Sequence, residues 1–308
     1  MSDNVKNMEA SVRARLLNIA KEEKLNFDFV LLMFMQERLL YRLSISEYKD
    51  QFVLKGGLLI LSTLNIKTRP TRDIDFLAQN VSNDLEKIKQ VFSQISQIQI
   101  NDGISYDKDS IEVEKITEGA DYDGVRIKIT GFIGDARKNL QLDLGFGDVI
   151  VPGEVSMEYP GLLDFEIPKV KAYSIESVIA EKFEAMLSLS VINSRMKDFY
   201  DIFTLSKSQS FEGETLSKAI AATLKNRGTV IEENQVIFDD DFAQDESRKR
   251  LWQGYLRKIG KESIDFNLVM EQISSFLKPV YQSILNDEVC TGYWNNEESR
   301  WISKEDKS

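Results

Sequence analysis

The 308-residue chain contains no histidine. Mechanisms that use an imidazole as general base, including every Ser–His or Cys–His arrangement, are therefore excluded. A single cysteine, Cys290, precludes an intrachain disulfide, and without histidine it leaves no zinc site of the usual kind. Any metal must then be a hard cation on carboxylate oxygens, which means magnesium, manganese or calcium. Long apolar runs are missing as well. The most apolar stretch near the start, Phe29–Met35, is interrupted at once by Gln36, Glu37 and Arg38. It falls far short of the roughly 20 residues that a membrane span needs. The opening residues MSDNVKNMEA offer no apolar core for a signal peptide, so no membrane association and a cytoplasmic location are expected.

Positive charge is in deficit. The formal net charge is −11, which disfavours a nucleic-acid partner on global electrostatics. The acid is unevenly spread, however: residues 229–247 carry Glu232, Glu233, Asp239, Asp240, Asp241, Asp245 and Glu246 without a single Lys or Arg. Residues 166–207 are balanced in charge, and a nucleotide substrate remains compatible with the whole.

Apolar residues at three- and four-residue intervals (Val12, Leu16, Ile19, then Leu31, Phe34, Leu39) predict two helices over residues 8–46. Phe52–Leu54 leads into a Gly56–Gly57 turn, and Leu58–Leu64 reads as a helix beginning there. Asp73–Ala78 alternates as a strand, with Asp73 and Asp75 on one face and Ile74 and Phe76 on the other. A helix over 82–97 capped by Ser82 is expected next, then strands at Ser110–Ile116, Val125–Phe132 and Leu140–Phe146. After Pro152 and Pro168 the pattern turns helical, with helices at Ile175–Leu189 and Met196–Ser206. An α/β domain over 1–165 and a mainly helical domain over 166–308 are the expected organisation.

Two carboxylates on one face of a strand, two residues apart, suit a site for divalent cations. A glycine pair before a helix lets backbone N–H groups approach phosphate oxygens, and the helix N-terminus adds a favourable dipole. Lys55, Gly56 and Gly57 precede Asp73 and Asp75 with the arginines Arg69 and Arg72 between, so order and spacing point to triphosphate chemistry. Each piece alone reads more simply as a plain turn or a solvated strand edge; only the order and spacing together point further. Asp143, flanked by Leu142 and Leu144, is the candidate for a third carboxylate; an exposed strand face accounts for it as well. Asp198 and Asp201 share one helix face, and with Lys182 on the preceding helix they suit either phosphate neutralisation or an inter-helix salt bridge.

Together the strings ERLLYRLSISEYKDQFVLKGGLLIL, RPTRDIDF, LDLGFGD, AEKFEAML and KDFYDIF resemble the AbiEii/AbiGii toxin family, over roughly residues 10–205. The resemblance implies a DNA-polymerase-β-like nucleotidyltransferase core with a mixed sheet and a helical second domain. It implies a nucleoside triphosphate substrate with Mg2+ or Mn2+, transfer to the 3′ end of tRNA with a block on translation, and a cognate antitoxin as partner. Combined with the residue reading above, which supplies Asp143, Lys55 and Arg72, the catalytic set is Asp73, Asp75, Asp143, Lys182 and Asp198, and the metal ligands are Asp73, Asp75 and Asp143. Nucleotide binding falls to Lys55, Gly56, Gly57, Arg69, Thr71, Arg72, Lys182 and Asp201. One departure stands out: many superfamily members have serine after the second glycine, and here Leu58 takes its place. A protein or small-molecule acceptor, or a non-catalytic nucleotide-binding module, are the alternative readings.

Overall fold

The structure is a computed structural model that describes residues 2–64, 69–118 and 122–303. The chain divides into two compact units. The first comprises Met1–Gly147 with Glu154–Tyr173, and the second Asp148–Gly153 with Ser174–Ser308.

The first unit opens with helices α1 (Ser2–Glu22) and α2 (Phe27–Ser44), the latter capped by Asn26, whose side chain accepts the Asp28 N–H. Strand β1 (Phe52–Lys55) runs directly into helix α3 (Gly56–Leu64), and β2 (Asp73–Ala78) follows. Helix α4 (Leu85–Ser96) comes next, then β3 (Ser105–Glu118), β4 (Tyr122–Ile133) and β5 (Ala136–Phe146). The hairpin of β6 (Val155–Glu158) and β7 (Lys169–Ala172) completes the unit. Among the described residues these strands form one mixed sheet in the order β3-β4-β5-β2-β1-β7-β6. The β2–β5 and β1–β7 pairs are parallel and the rest antiparallel, which is the mixed α/β class expected.

Alternation decides the two faces of this sheet. Val125, Ile127 and Ile129 on β4, Leu140, Leu142 and Leu144 on β5, and Ile74 and Phe76 on β2 are all buried. Phe76 and Phe92 of α4 both pack against Phe52, with ring centroids 5.9 and 5.2 Å away, and the Tyr106 hydroxyl donates to the Met35 carbonyl of α2. One face is thus covered by α2 and α4, which leaves the polar residues of the central strands on the other.

Helix α2 is buried from Val30 to Leu43, including four polar residues. Its arginines Arg38 and Arg42, one turn apart, both donate to the fully buried Asp102, at 2.9 and 2.7 Å. Arg42 also donates to the Ile98 and Ile104 carbonyls, and Arg38 to the Glu166 carbonyl. Burial raises the Glu37 carboxyl above its ordinary range, opposed by the Leu162 N–H and the Arg38 charge. Such a network contributes little net stability against an apolar equivalent, whereas removal of any one partner would leave buried charge under-compensated. It fixes α2 against the loop before β3 and the segment before β7.

Several boundaries differ from the sequence expectation. Helix α4 starts at Leu85, because Asp84 rather than Ser82 caps it by accepting the Lys87 N–H; the Ser82 hydroxyl instead accepts the Asp84 N–H. Strand β3 extends further on both sides of the predicted run, past an irregularity between Asp107 and Glu112.

The second unit holds α5 (Ile175–Leu189), α6 (Met196–Ser208), α7 (Gly213–Asn226), α8 (Asp240–Gln244), α9 (Glu246–Lys258) and α10 (Phe266–Leu285). A small antiparallel sheet joins β8 (Phe211–Glu212), β9 (Tyr293–Asn295) and β10 (Arg300–Ile302). Its core is aromatic: Trp294 packs on Phe276 at 4.9 Å and donates its indole N–H to the Ser206 carbonyl. None of the described helices is long and apolar enough to cross a membrane.

Candidate active site

The polar face of the first unit's sheet is organised by register. Arg126 on β4 stands opposite Asp143 on β5, Asp143 opposite Asp75 on β2, and Asp75 opposite Lys55 on β1. Directly paired residues share a face, so these four side chains form one row: cation, carboxylate, carboxylate, cation. The neighbouring row on this face is Lys128, Gln141 and Asp73. The corresponding apolar row (Val125, Leu144, Phe76, Leu54 and Ala172) lines the opposite face and anchors the sheet in the core.

At the end of β1 the chain turns through Gly56, whose φ of +68° is strained for any residue with a Cβ. A Cβ there would also meet Asp75 Oδ2 at 2.0 Å. The Gly57 N–H, in the first turn of α3, donates to the same oxygen at 3.3 Å. On its other side Gly57 is pressed by Thr71 Oγ1 and the Arg69 guanidinium, which stand 2.8 and 3.0 Å from where its Cβ would be. The two glycines are thus needed because a carboxylate, a hydroxyl and a guanidinium converge on this turn. Arg69 and Thr71 are buried, whereas Arg72 is exposed and its carbonyl accepts from Gln36. Leu58 is fully buried, so its side chain presents nothing to this polar surface. The Lys55 amine lies 5.6 Å from the centre of the Tyr173 ring, a cation–π distance.

Asp73 and Asp75 are half-buried on one strand face and offer hard oxygen donors, a donor set that fits magnesium or manganese. Asp143 is engaged differently. Arg126 forks onto it, with Nε 2.9 Å from Oδ1 and Nη2 2.7 Å from Oδ2, and Gln141 adds an amide N–H to Oδ2 at 3.3 Å. The hydrogen bonds that Asp143 accepts hold the Arg126 guanidinium above its ordinary range against the opposing effect of burial, with help from the charges of Asp143 and Asp73. Among the described residues no group of three or more Asp, Glu or Cys side chains is arranged to hold a metal ion, and Arg126 stands where such a group would need Asp143.

Arg126 is the residue that sequence reasoning passed over. Alternation in VRIKITGF puts it on the polar face of its strand, but only the β4–β5 pairing sets it on Asp143.

Lys182, Asp198 and Asp201 lie in the second unit and are brought together there. The Lys182 amine is 2.8 Å from Asp198 Oδ1 and 2.6 Å from Asp201 Oδ2, and both carboxylates are buried. Asp198 Oδ2 lies 2.8 Å from Arg195 Nε, an ion pair that lacks hydrogen-bond geometry. Burial alone would raise the Asp198 carboxyl; the charges of Lys182 and Arg195 outweigh it and hold the group below the ordinary carboxylate range. The salt bridge and the proposed site residues are therefore the same atoms. Asp148, in the turn after β5, ion-pairs with Arg227, which also reaches Glu181 and Glu184.

Comparison with known proteins follows this geometry. A family model described as "Nucleotidyl transferase AbiEii toxin, Type IV TA system" matches residues 38–279. Among solved structures, the chain is similar to a nucleotidyltransferase candidate from H. pylori at 16% identity and a TM-score of 0.45, covering 85% of this chain and 96% of that one. It is also similar to JHP933 from Helicobacter pylori at 16% identity and a TM-score of 0.43, covering 81% and 90%. No curated protein matches.

Proposed function

This chain belongs to the AbiEii family of type IV toxin–antitoxin nucleotidyltransferases, and on that premise we propose that it transfers a nucleotide from a nucleoside triphosphate to the 3′ end of tRNA, blocking translation. The observation that carries the reading is the row of Lys55, Asp75 and Asp143 beside the Gly56–Gly57 turn, with Asp73 one position away on the same face. Asp73 and Asp75 would hold a magnesium or manganese ion, which supplies neutralising charge for the triphosphate and aligns the attacking oxygen.

The chain's own residues do the rest. The α3 N-terminus, which begins at the Gly56–Gly57 turn, favours phosphate charge, and the Gly57 N–H that holds Asp75 in the free protein is a donor that can turn to a phosphate oxygen. Arg69 and Thr71, packed on Gly57, offer a guanidinium and a hydroxyl to the same phosphates, where Leu58 offers none. Lys55 and Arg72 add positive charge. The 3′ hydroxyl attacks the α-phosphorus, the bond to the β-phosphate oxygen breaks, and pyrophosphate leaves. Asp143, once free of Arg126, accepts the hydroxyl proton. The resemblance assigns Lys182 to nucleotide handling, and within the second unit Asp198 and Asp201 hold its amine in place. A cognate antitoxin restrains the toxin, as the family implies.

The test is incubation of the purified protein with total bacterial tRNA, Mg2+ and each α-labelled nucleoside triphosphate, beside Asp73→Ala. Label entering tRNA only with the native protein is the expected result. Retained transfer in Asp73→Ala would overturn the site assignment. The net charge of −11 favours a second reading, in which the acceptor is a protein or a small molecule. Label in protein but not RNA would establish that reading instead.

A further inference from the structure

Asp143 is the one carboxylate of the polar row whose oxygens are both occupied by a single guanidinium. Its neighbours make that occupation consequential. Asp75 stands directly beside it on the adjacent parallel strand, and Asp73 is close enough for its charge to act on Arg126. Strands in a sheet lie about 4.8 Å apart, so three carboxylates on this patch repel one another unless a cation sits among them. The two partners also differ in freedom. The Asp143 side chain keeps 9% of its surface exposed and Arg126 keeps 32%, so the arginine has room to swing out and the carboxylate does not.

We propose that Arg126 is the resident counter-ion of Asp143 within this patch, competing with a divalent cation for that carboxylate and leaving it when the cation binds. The inference rests on the metal-dependent reading above and deepens it. In the metal-free protein Arg126 pairs with Asp143 and, with Lys55 opposite Asp75 at the other end of the row, offsets the repulsion within the patch. A cation held by Asp73 and Asp75 draws Asp143 in as a further ligand, and the guanidinium is released to the solvent side, where a triphosphate would meet it. Arg126 is thereby a positioning residue that sets the affinity of the site for metal. A bidentate fork is specific to arginine, because a lysine ammonium is a point charge that cannot span both oxygens.

The experiment is Mn2+ binding to nucleotide-free protein, read by electron paramagnetic resonance of the free ion, for native protein, Arg126→Gln, Arg126→Lys and Asp73→Ala. Removing a charge-assisted fork should tighten Mn2+ binding in Arg126→Gln by roughly ten- to a hundredfold. Arg126→Lys should fall between native and Arg126→Gln. In native protein, Mg2+ addition should also shift the Arg126 Nε–H resonance, identified by its loss in Arg126→Lys; this readout holds even if Arg126→Gln folds poorly. Unchanged or weaker Mn2+ binding in Arg126→Gln, with binding lost in Asp73→Ala, overturns the competition and leaves the metal site standing. An Nε–H resonance unmoved by saturating Mg2+ overturns it equally. Native affinity in Asp73→Ala overturns the metal reading itself, and this inference with it.

Discussion

Replacing Lys182 with methionine tests whether its cluster holds the second unit together. The substitution keeps the length and apolar stem of the side chain and removes only the charge. It takes from Asp201 the cation at 2.6 Å and from Asp198 the one at 2.8 Å, and these carboxylates are 1% and 0% exposed. Breaking a buried ion pair by removing one partner costs about 3–5 kcal/mol, because the remaining charge stays desolvated. Arg195 continues to face Asp198, so the lower end, about 3 kcal/mol, is expected. For a unit of this size that corresponds to a melting shift of roughly 6–12 °C.

The cost should depend on pH. The Asp198 carboxyl is depressed in the folded protein, so it contributes stability above its unfolded value of about 3.9, lost as pH falls through the folded one. Without Lys182 the burial that opposes this charge is less compensated, and the carboxyl moves up. The gap between native and variant is therefore full at pH 7 and narrows as pH falls toward about 4. Urea unfolding at several pH values measures it. Adding Asp198→Asn and Asp201→Asn should recover part of the loss, since no unpaired buried charge then remains and the half-exposed Arg195 stays solvated. A loss under about 1 kcal/mol at pH 7, the ordinary value of an exposed pair, would refute the reasoning, as would a gap that stays constant with pH.

Two further substitutions probe the first unit. Gly56→Ala forces a Cβ into the Asp75 carboxylate at a left-handed φ; the backbone term alone is about 1–2 kcal/mol, and nucleotide affinity measured by calorimetry should fall with stability. Arg42→Met withdraws a guanidinium that donates to both oxygens of fully buried Asp102; because Arg38 still pairs with Asp102, a loss of about 3 kcal/mol in urea unfolding is expected, while the remaining folded protein binds nucleotide as the native protein does.

The strand that bears the carboxylates and the helix α5 are legible because periodicity, of two for Asp73–Ala78 and of about 3.6 for Ile175–Leu189, is a one-dimensional signal, and both have the boundaries expected. Short strands such as β6, β7 and β9 are not, since three or four residues are too few to show an alternation and each is held by its pairing partners rather than by its own pattern. The cap of α4 was misplaced for a related reason: Ser82 and Asp84 are both good capping residues, and local geometry chose between them.

By itself the sequence determined which chemistry is open to this protein: no imidazole, no thiolate cluster, and oxygen donors paired on one strand behind a glycine turn. It also determined the family, because motif order survives without coordinates. Only the tertiary structure decided who faces whom. Strand register set Arg126 on Asp143 and lined up Lys55 with Asp75, and helix packing closed Lys182 onto two buried aspartates. Charge neutralisation in a protein interior is a pairwise, through-space requirement, and residues that meet it lie far apart in the chain with no periodicity to announce them.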